Sequence, residues 1–352
     1  MNCRERILSS IGHKPVDRVP TDIWATEEIW QGLENHFNTK DRRLIKDKMG
    51  IDGIESCGIN YTGRDRKDRD GLKAGIWGSY YRDIVLPTGG AYLEQEIYPL
   101  KGVNDIAALK DFNWENPLDY DYTKSAEDLK NIFKKHAVAC GYIAPFYDLW
   151  ILFGFETALL NLALYPDFMH AVLDRVMDYR LKQHRKMFEK FKGNMDICQI
   201  TDDFGQQSGL VMSIDMIREF FWPHYVKAIA LAKEYNLQIF HHDDGGIIEI
   251  IPDLIEMGIN ILNPIQWRCE GMELKVLKER FGKNICFHGT VENQDILPFG
   301  TPEDVRKETR KNIDILFKDR TGLIIGPCHS IQSGTPVENV LALFDEAHKY
   351  RI

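Results

Sequence analysis

Histidine, aspartate, asparagine, glutamine and cysteine gather in a few short segments of this 352-residue chain. They are Thr201-Asp202-Asp203-Phe204-Gly205, His241-His242-Asp243-Asp244-Gly245-Gly246, Asn263-Pro264-Ile265-Gln266, Cys286-Phe287-His288-Gly289 and Gly326-Pro327-Cys328-His329. Each ends or directly follows a short apolar run of β-forming residues. His242 and Asp244 stand two apart, so an extended backbone points both to one side, while His241 and Asp243 point to the other. One pair is placed to bind and the other to support it. A histidine, a carboxylate and a thiolate brought together are ligands for Zn²⁺, and three protein ligands with an open fourth position make a catalytic arrangement. Any one of these residues alone is as readily a helix cap or a partner for loop backbone. Their coincidence at successive strand ends is what points to a site.

The elements that must position them follow from the hydrophobic pattern. From about residue 122, short apolar runs alternate with longer amphipathic stretches, the pattern of βα units around a parallel sheet. Strands are expected at 138–143, 196–201, 237–242, 259–262, 284–287 and 322–326, and two earlier runs, 18–23 and 51–56, bring the number to eight. Thr301-Pro302-Glu303-Asp304 and Thr335-Pro336-Val337-Glu338 each offer an N-cap hydroxyl and a proline at the first helical position, with Glu338 completing a capping box. Ser213 precedes a helix expected to run through about Glu234, and Pro166 or Asp167 opens one toward Lys192. Eight strands, each followed by helical material, predict a (β/α)8 barrel, whose chemistry gathers at the carboxyl ends of its strands. No repeat or linker divides the chain, so one domain over 1–352 is expected, with an irregular Gly- and Tyr-rich stretch at 52–97 as a lid or insertion. An open doubly wound sheet lacks support, because no G-x-G-x-x-G or Walker loop follows a strand.

Composition narrows the partners. Lys and Arg number 44 against 53 Asp and Glu, a net charge of −9, which opposes attraction to a nucleic-acid backbone or an anionic lipid surface. No apolar run approaches the roughly 18 residues of a membrane span. The opening Met1-Asn2-Cys3-Arg4-Glu5-Arg6 leads into no apolar stretch, so no secretory signal and a cytoplasmic location are expected. Cysteines at 3, 57, 140, 198, 269, 286 and 328 are odd in number and never paired as C-x-x-C, which argues against a disulfide framework or a structural zinc finger. Cys269 and Cys286 read as structural, Phe220-Phe221-Trp222-Pro223-His224-Tyr225 as core, and the charged stretch 301–320 as a solvated helix face. Ser208 and Ser330 lack a nucleophile elbow.

Several segments together resemble the uroporphyrinogen decarboxylase superfamily, which includes decarboxylases and cobalamin-linked methyltransferases. They are Arg4-Glu5-Arg6, Lys14-Pro15-Val16-Asp17-Arg18-Val19-Pro20, Gly141-Tyr142-Ile143-Ala144-Pro145-Phe146, Asp202-Asp203, Met212-Ser213-Ile214-Asp215, Phe220-Phe221-Trp222-Pro223, His242-Asp243-Asp244-Gly245, Ile251-Pro252-Asp253-Leu254 with Gly258, and Thr335-Pro336-Val337-Glu338-Asn339-Val340. The resemblance implies one (β/α)8 barrel with its cleft at the strand carboxyl ends. Decarboxylases of the superfamily carry an R-Q-A-G-R segment where this chain has Asp22-Ile23-Trp24-Ala25-Thr26-Glu27-Glu28, without arginine and with acids that would repel a porphyrinogen's carboxylates. His329, six residues before Thr335, does match the decarboxylase histidine's spacing. The methyltransferase branch holds zinc with H-x-C-G and a distant cysteine. The pattern is similar here at His242 and Cys328, with Asp244 in the first cysteine's place and Cys328 one residue early.

The resemblance therefore implies zinc on His242, Asp244 and Cys328, in a methyltransferase that works with a separate corrinoid protein. A carboxylate in place of a thiolate makes the metal more electrophilic. That suits removal of a methyl group from a small methoxylated, aromatic donor to cob(I)amide, where a Lewis acid stabilises charge on the departing oxygen. Asp202, Asp203 and His288 are expected to orient the donor or supply a proton, and Asn263, Gln266 and His329 to face the substrate. No D-x-H-x-x-G corrinoid-binding stretch occurs in the chain, so the cobalt must arrive on its partner. The alternatives are methyl transfer from methylcobamide to a thiol or tetrahydrofolate, a metal-free decarboxylase, and an inactive corrinoid-binding partner.

Overall fold

The computed structural model describes residues 1–85 and 91–350; residues 86–90, within the expected irregular stretch 52–97, and 351–352 lie outside the described residues. The central sheet runs β1 (Ile54–Ser56), β2 (Ala137–Ile143), β3 (Ile197–Ile200), β4 (Gln238–His242), β5 (Ile261–Asn263), β6 (Cys286–His288) and β7 (Leu323–Ile324). These seven strands pair in chain order, and every pair is parallel. The expected first strand, 18–23, is instead a single-residue bridge: Thr21 pairs in parallel with Ile325, and its carbonyl accepts from Gly53 N–H at 3.0 Å. Two local features prevent a regular strand there. Pro20 has no N–H, and Thr21 N–H donates sideways to the buried Asp52 carboxylate at 3.1 Å. The segment still fills the gap between β7 and β1, so the sheet closes as a (β/α)8-type barrel.

The pleat of each strand sorts its residues between two cores. Outward side chains such as Val138, Cys198, Ile239, Leu262, Phe287 and Leu323 join the large core against the surrounding helices. Inward ones, Ala137, Ile197, Phe240, Ile261, Cys286 and Ile324, form a small separate cluster with Ile7 and Ile11 of the N-terminal helix Cys3–Ile11. That helix sits at the amino-terminal ends of the strands. Arg4 reaches Asp196 just before β3, and Ser10 Oγ donates to Leu323 O at 2.8 Å. Arg6 and Arg18 converge on the buried Asp52, and Arg6 also holds Asp17, which gives the N-terminal motif a structural role in plugging the barrel. The polar residues that follow the strands lie at the opposite, carboxyl-terminal end.

Helix signals met mixed outcomes. Thr301 caps the helix Pro302–Leu316 in a reciprocal box with Asp304. Thr335 does not cap the last helix, Val337–Lys349: Pro336 is its N-cap and no side chain caps it. Pro166–Phe191 is one helix. Ser213 does cap its helix, but the expected single element breaks into Ile214–Phe220 and Trp222–Glu234 at Phe221, where Pro223 cannot supply the N–H that would continue the ladder. Within 52–97, Tyr80–Val85 and Ala91–Ile97 pair as an antiparallel hairpin with Lys73–Ala74 along its edge. Among the described residues no single helix is long and apolar enough to cross a membrane.

Candidate metal site

Phe240, Ile261 and Cys286 point inward, so the residues two further along each strand must do the same one layer higher. These are His242, Asn263 and His288, neighbours across β4, β5 and β6. A polar layer therefore caps an apolar one at the open end of the barrel. His242 Nδ1 lies 2.6 Å from Asn263 Oδ1, and the indole of Trp24 stacks on the ring at 5.5 Å. Its Nε2 faces the opening, 3.9 Å from both Asp203 Oδ1 and Asp244 Oδ1. His329 approaches from the loop after β7, with Nε2 3.6 Å from Asp244 Oδ2. His242, Asp244 and His329 thus each offer one donor atom, all within 4.8 Å of one another.

Supporting residues hold this trio. Gln266 donates from Nε2 to Asp244 Oδ1 at 2.8 Å and accepts from Gly245 N–H at 2.7 Å, which leaves Asp244 Oδ2 toward His329. Gly245 has φ +91°, and a Cβ there would lie 2.5 Å from the Gln206 nitrogen, so the turn that aims Asp244 needs glycine. Behind the site, His241 and Asp243 are fully buried. Nδ1–H of His241 donates to Ile200 O at 2.9 Å, which leaves Nε2 as an acceptor 3.3 Å from Asp243 Oδ2. Burial lowers the His241 pKa to about 4, which keeps the imidazole neutral near pH 7, and pushes that of Asp243 up. Asp243 Oδ1 also accepts from Phe204 and Gly205 N–H, tying the β3 loop to the β4 loop.

The other expected site residues divide. Asp203 is about one-third exposed beside His242, and burial raises its pKa, with Asp244 adding to the rise. Asp202 does not reach the opening: it is 2% exposed, accepts from Tyr147 N–H and Tyr225 Oη–H, and so caps the helix Pro145–Phe153. His288 is likewise buried, with one ring nitrogen on Asn263 and the other 2.9 Å from Asp22 Oδ2. Asn263 lies between the two histidines and faces no substrate space. Cys328 is not in the donor trio. Its thiol donates to Asn293 Oδ1 at 3.0 Å, burial pushes its pKa up to about 12, and it lines an adjoining cavity of about 230 Å³ with Gln266, Trp267, Cys269 and Glu292. Cys328 N–H bonds Val291 O at 2.7 Å, and this turn gives the open face to the next residue, His329.

Residues 84–350 match the family model of uroporphyrinogen decarboxylase (URO-D). The chain belongs to the URO-D family. Relatives include chloroplastic uroporphyrinogen decarboxylase 2 of Arabidopsis thaliana, 23% identical over 77% of this chain and 69% of the relative. Methylcobamide:CoM methyltransferase MtbA of Methanosarcina mazei is 21% identical and spans 99% of this chain and 98% of its own length. The methylated-thiol–coenzyme M methyltransferase of the same organism is 26% identical over 56% of this chain and 49% of the relative. A solved methyltransferase from Methanosarcina mazei superposes over 99% of both chains with a TM-score of 0.67 at 18% identity, which establishes the barrel fold. In this URO-D chain, sequence reasoning assigned Asp22 and Trp24 no role of their own beyond a segment that lacks arginine and carries acids. Asp22 directly follows the Thr21 bridge that replaces the first strand, Trp24 lies two residues further on, and no periodicity marks them.

Proposed function

We propose that the chain is a metal-dependent methyltransferase that works with a separate corrinoid protein and takes its methyl group from a small methoxylated, aromatic donor. The observation that carries this reading is the convergence of His242 Nε2, Asp244 and His329 Nε2 at the barrel mouth. Two imidazoles and a carboxylate with an open side fit a catalytic divalent ion, zinc above all. His242, Asp244 and His329 would hold it, and its chemistry there is that of a Lewis acid on the donor's ether oxygen. The chain's own residues supply the rest. Gln266 fixes the Asp244 carboxylate, and Trp24 gives His242 an apolar wall. Asp203 stands at the mouth beside His242, where it can hand a proton to the departing oxygen as the corrinoid cobalt takes the methyl group and the methyl–oxygen bond breaks.

Acidic surroundings weigh against porphyrinogen decarboxylation. Asp203 and Asp244 face the opening, and Arg268, the guanidinium beside the adjoining cavity, is already paired with Asp295 and Glu292. A second direction, methyl transfer from methylcobamide to a thiol, is favoured by the full-length similarity to the methylcobamide:CoM methyltransferase. The test is metal content of untagged protein, then methyl transfer between a reduced corrinoid protein and a panel of methoxylated aromatics, with thiols offered to methylcobamide in parallel. About one zinc per chain, lost in His242→Ala and His329→Ala, with demethylation of a methoxy compound, supports the reading. Turnover only toward a thiol selects the second direction, and a folded protein that takes up no metal refutes both.

A further inference from the structure

The hydrogen bonds behind His242 have a direction, and that direction decides what the ring can bind. Asn263 Nδ2 lies 3.2 Å from the main-chain carbonyl of His288, an atom that only accepts. The amide nitrogen therefore faces His288, and the amide oxygen faces His242. An amide oxygen 2.6 Å from His242 Nδ1 requires a proton on that nitrogen. On the other side, the amide nitrogen lies 2.7 Å from His288 Nδ1, which must then be the acceptor. The His288 proton thus sits on Nε2 and points at Asp22 Oδ2, 2.9 Å away. The remaining Asp22 oxygen accepts from Ile54 N–H at 3.1 Å. Asp22, Asn263 and His288 are all buried, so no solvent exchange relaxes this polarity.

We infer that Asp22, His288 and Asn263 are positioning residues that hold His242 in the Nδ1–H tautomer and so reserve its Nε2 lone pair for the metal ion, an inference that rests on the metal-site reading above. The chain starts at a group with acceptors on both sides. Asparagine at position 22 must turn its NH₂ toward either Ile54 N–H or His288 Nε2–H, and only the imidazole can respond, by moving its proton. His288 then carries its proton on Nδ1, facing the Asn263 NH₂; Asn263 must flip against the His288 carbonyl or turn away, and either way His242 Nδ1 loses its held acceptor and the Nε2–H form that cannot ligate is no longer disfavoured. Outer partners of metal-bound histidines commonly set affinity by 10–100-fold.

The experiment uses the full chain without metal. Long-range ¹H–¹⁵N spectra of ¹⁵N-histidine-labelled protein report the tautomers, and zinc titration against a chromophoric chelator reports affinity. In the wild type, His242 is expected as Nδ1–H and His288 as Nε2–H. Asp22→Asn is expected to shift His242 toward Nε2–H and to weaken zinc binding at least tenfold. Asn263→Ala is a second variant that removes the acceptor directly, with the same expected loss of affinity. A wild-type His242 in the Nε2–H form overturns the inference, as do folded variants that keep the wild-type tautomer and affinity within twofold. Tautomers as expected in a protein that binds no zinc uphold the hydrogen-bond chain and overturn the metal reading.

Discussion

Replacing Gln266 tests whether Asp244 is held as a ligand or merely stands near two histidines. The amide makes two bonds at once, donating to Asp244 Oδ1 at 2.8 Å and accepting from Gly245 N–H at 2.7 Å. Gln266→Ala frees the carboxylate to rotate away from His329 and strips the Gly245 N–H of its acceptor. Loss of an outer partner of a ligand lowers metal affinity by roughly 10–100-fold, or about 1.4–2.7 kcal/mol. The orphaned N–H adds a stability cost of about 1 kcal/mol, the low end of the usual range because Gln266 is half-buried and water can reach the vacancy. Gln266→Met fills nearly the same space without donor or acceptor, so it separates the hydrogen bonds from the volume. The assay is zinc titration against a chromophoric competitor at one pH, paired with urea unfolding of the metal-free protein. Both variants are expected to lose affinity alike, with only a small drop in unfolding midpoint. If both bind zinc within twofold of the wild type while His242→Ala does not bind, Gln266 does not position Asp244 and the reasoning fails.

Further outcomes follow from other parts of the structure. Cys328→Ala is expected to keep wild-type zinc content, since its thiol faces Asn293; loss of metal on elemental analysis would restore the cysteine as ligand. His184 is buried, donates from Nδ1 to Arg180 O and accepts at Nε2 from Tyr142 N–H, and its pKa is lowered to about 3 by burial first and by the Arg180 charge. The native state thus holds it neutral while the unfolded chain protonates below about 6.5, so its stabilising contribution is complete above that pH and is lost on acidification toward 3. Between pH 6.5 and 5 this loss is about 2 kcal/mol, and His184→Gln should show a correspondingly shallower decline in urea unfolding measured at both values. Asp52→Ala strands Arg6 and Arg18 and should cost about 3–5 kcal/mol, read as a lowered thermal midpoint; an unchanged midpoint would refute the plug's role.

Much of the barrel was legible because parallel strands buried on both faces leave continuous apolar runs, and β2 to β7 lie within a few residues of those runs. The strand carboxyl ends were legible for the same reason. The break at Phe221 and the uncapped start of the last helix were not, because a proline or a hydroxyl signals a boundary without fixing which geometry the tertiary contacts select.

The sequence by itself determined that His242 and Asp244 share one side and that His241 and Asp243 share the other, since the period of two holds wherever the backbone stays extended. Only the tertiary structure decided which of two neighbouring residues stands beside His242 and Asp244. Cys328 and His329 are adjacent on a loop where no periodicity applies, and the bond from Cys328 N–H to Val291 O turns the thiol into the neighbouring cavity and the imidazole toward Asp244. Only the structure could join Asp22 to His288, 266 residues later, because that contact exists once the barrel closes between its first and last strands. Local patterns encode which face a residue takes, whereas pairings across the closed barrel depend on the packing of elements far apart in the chain.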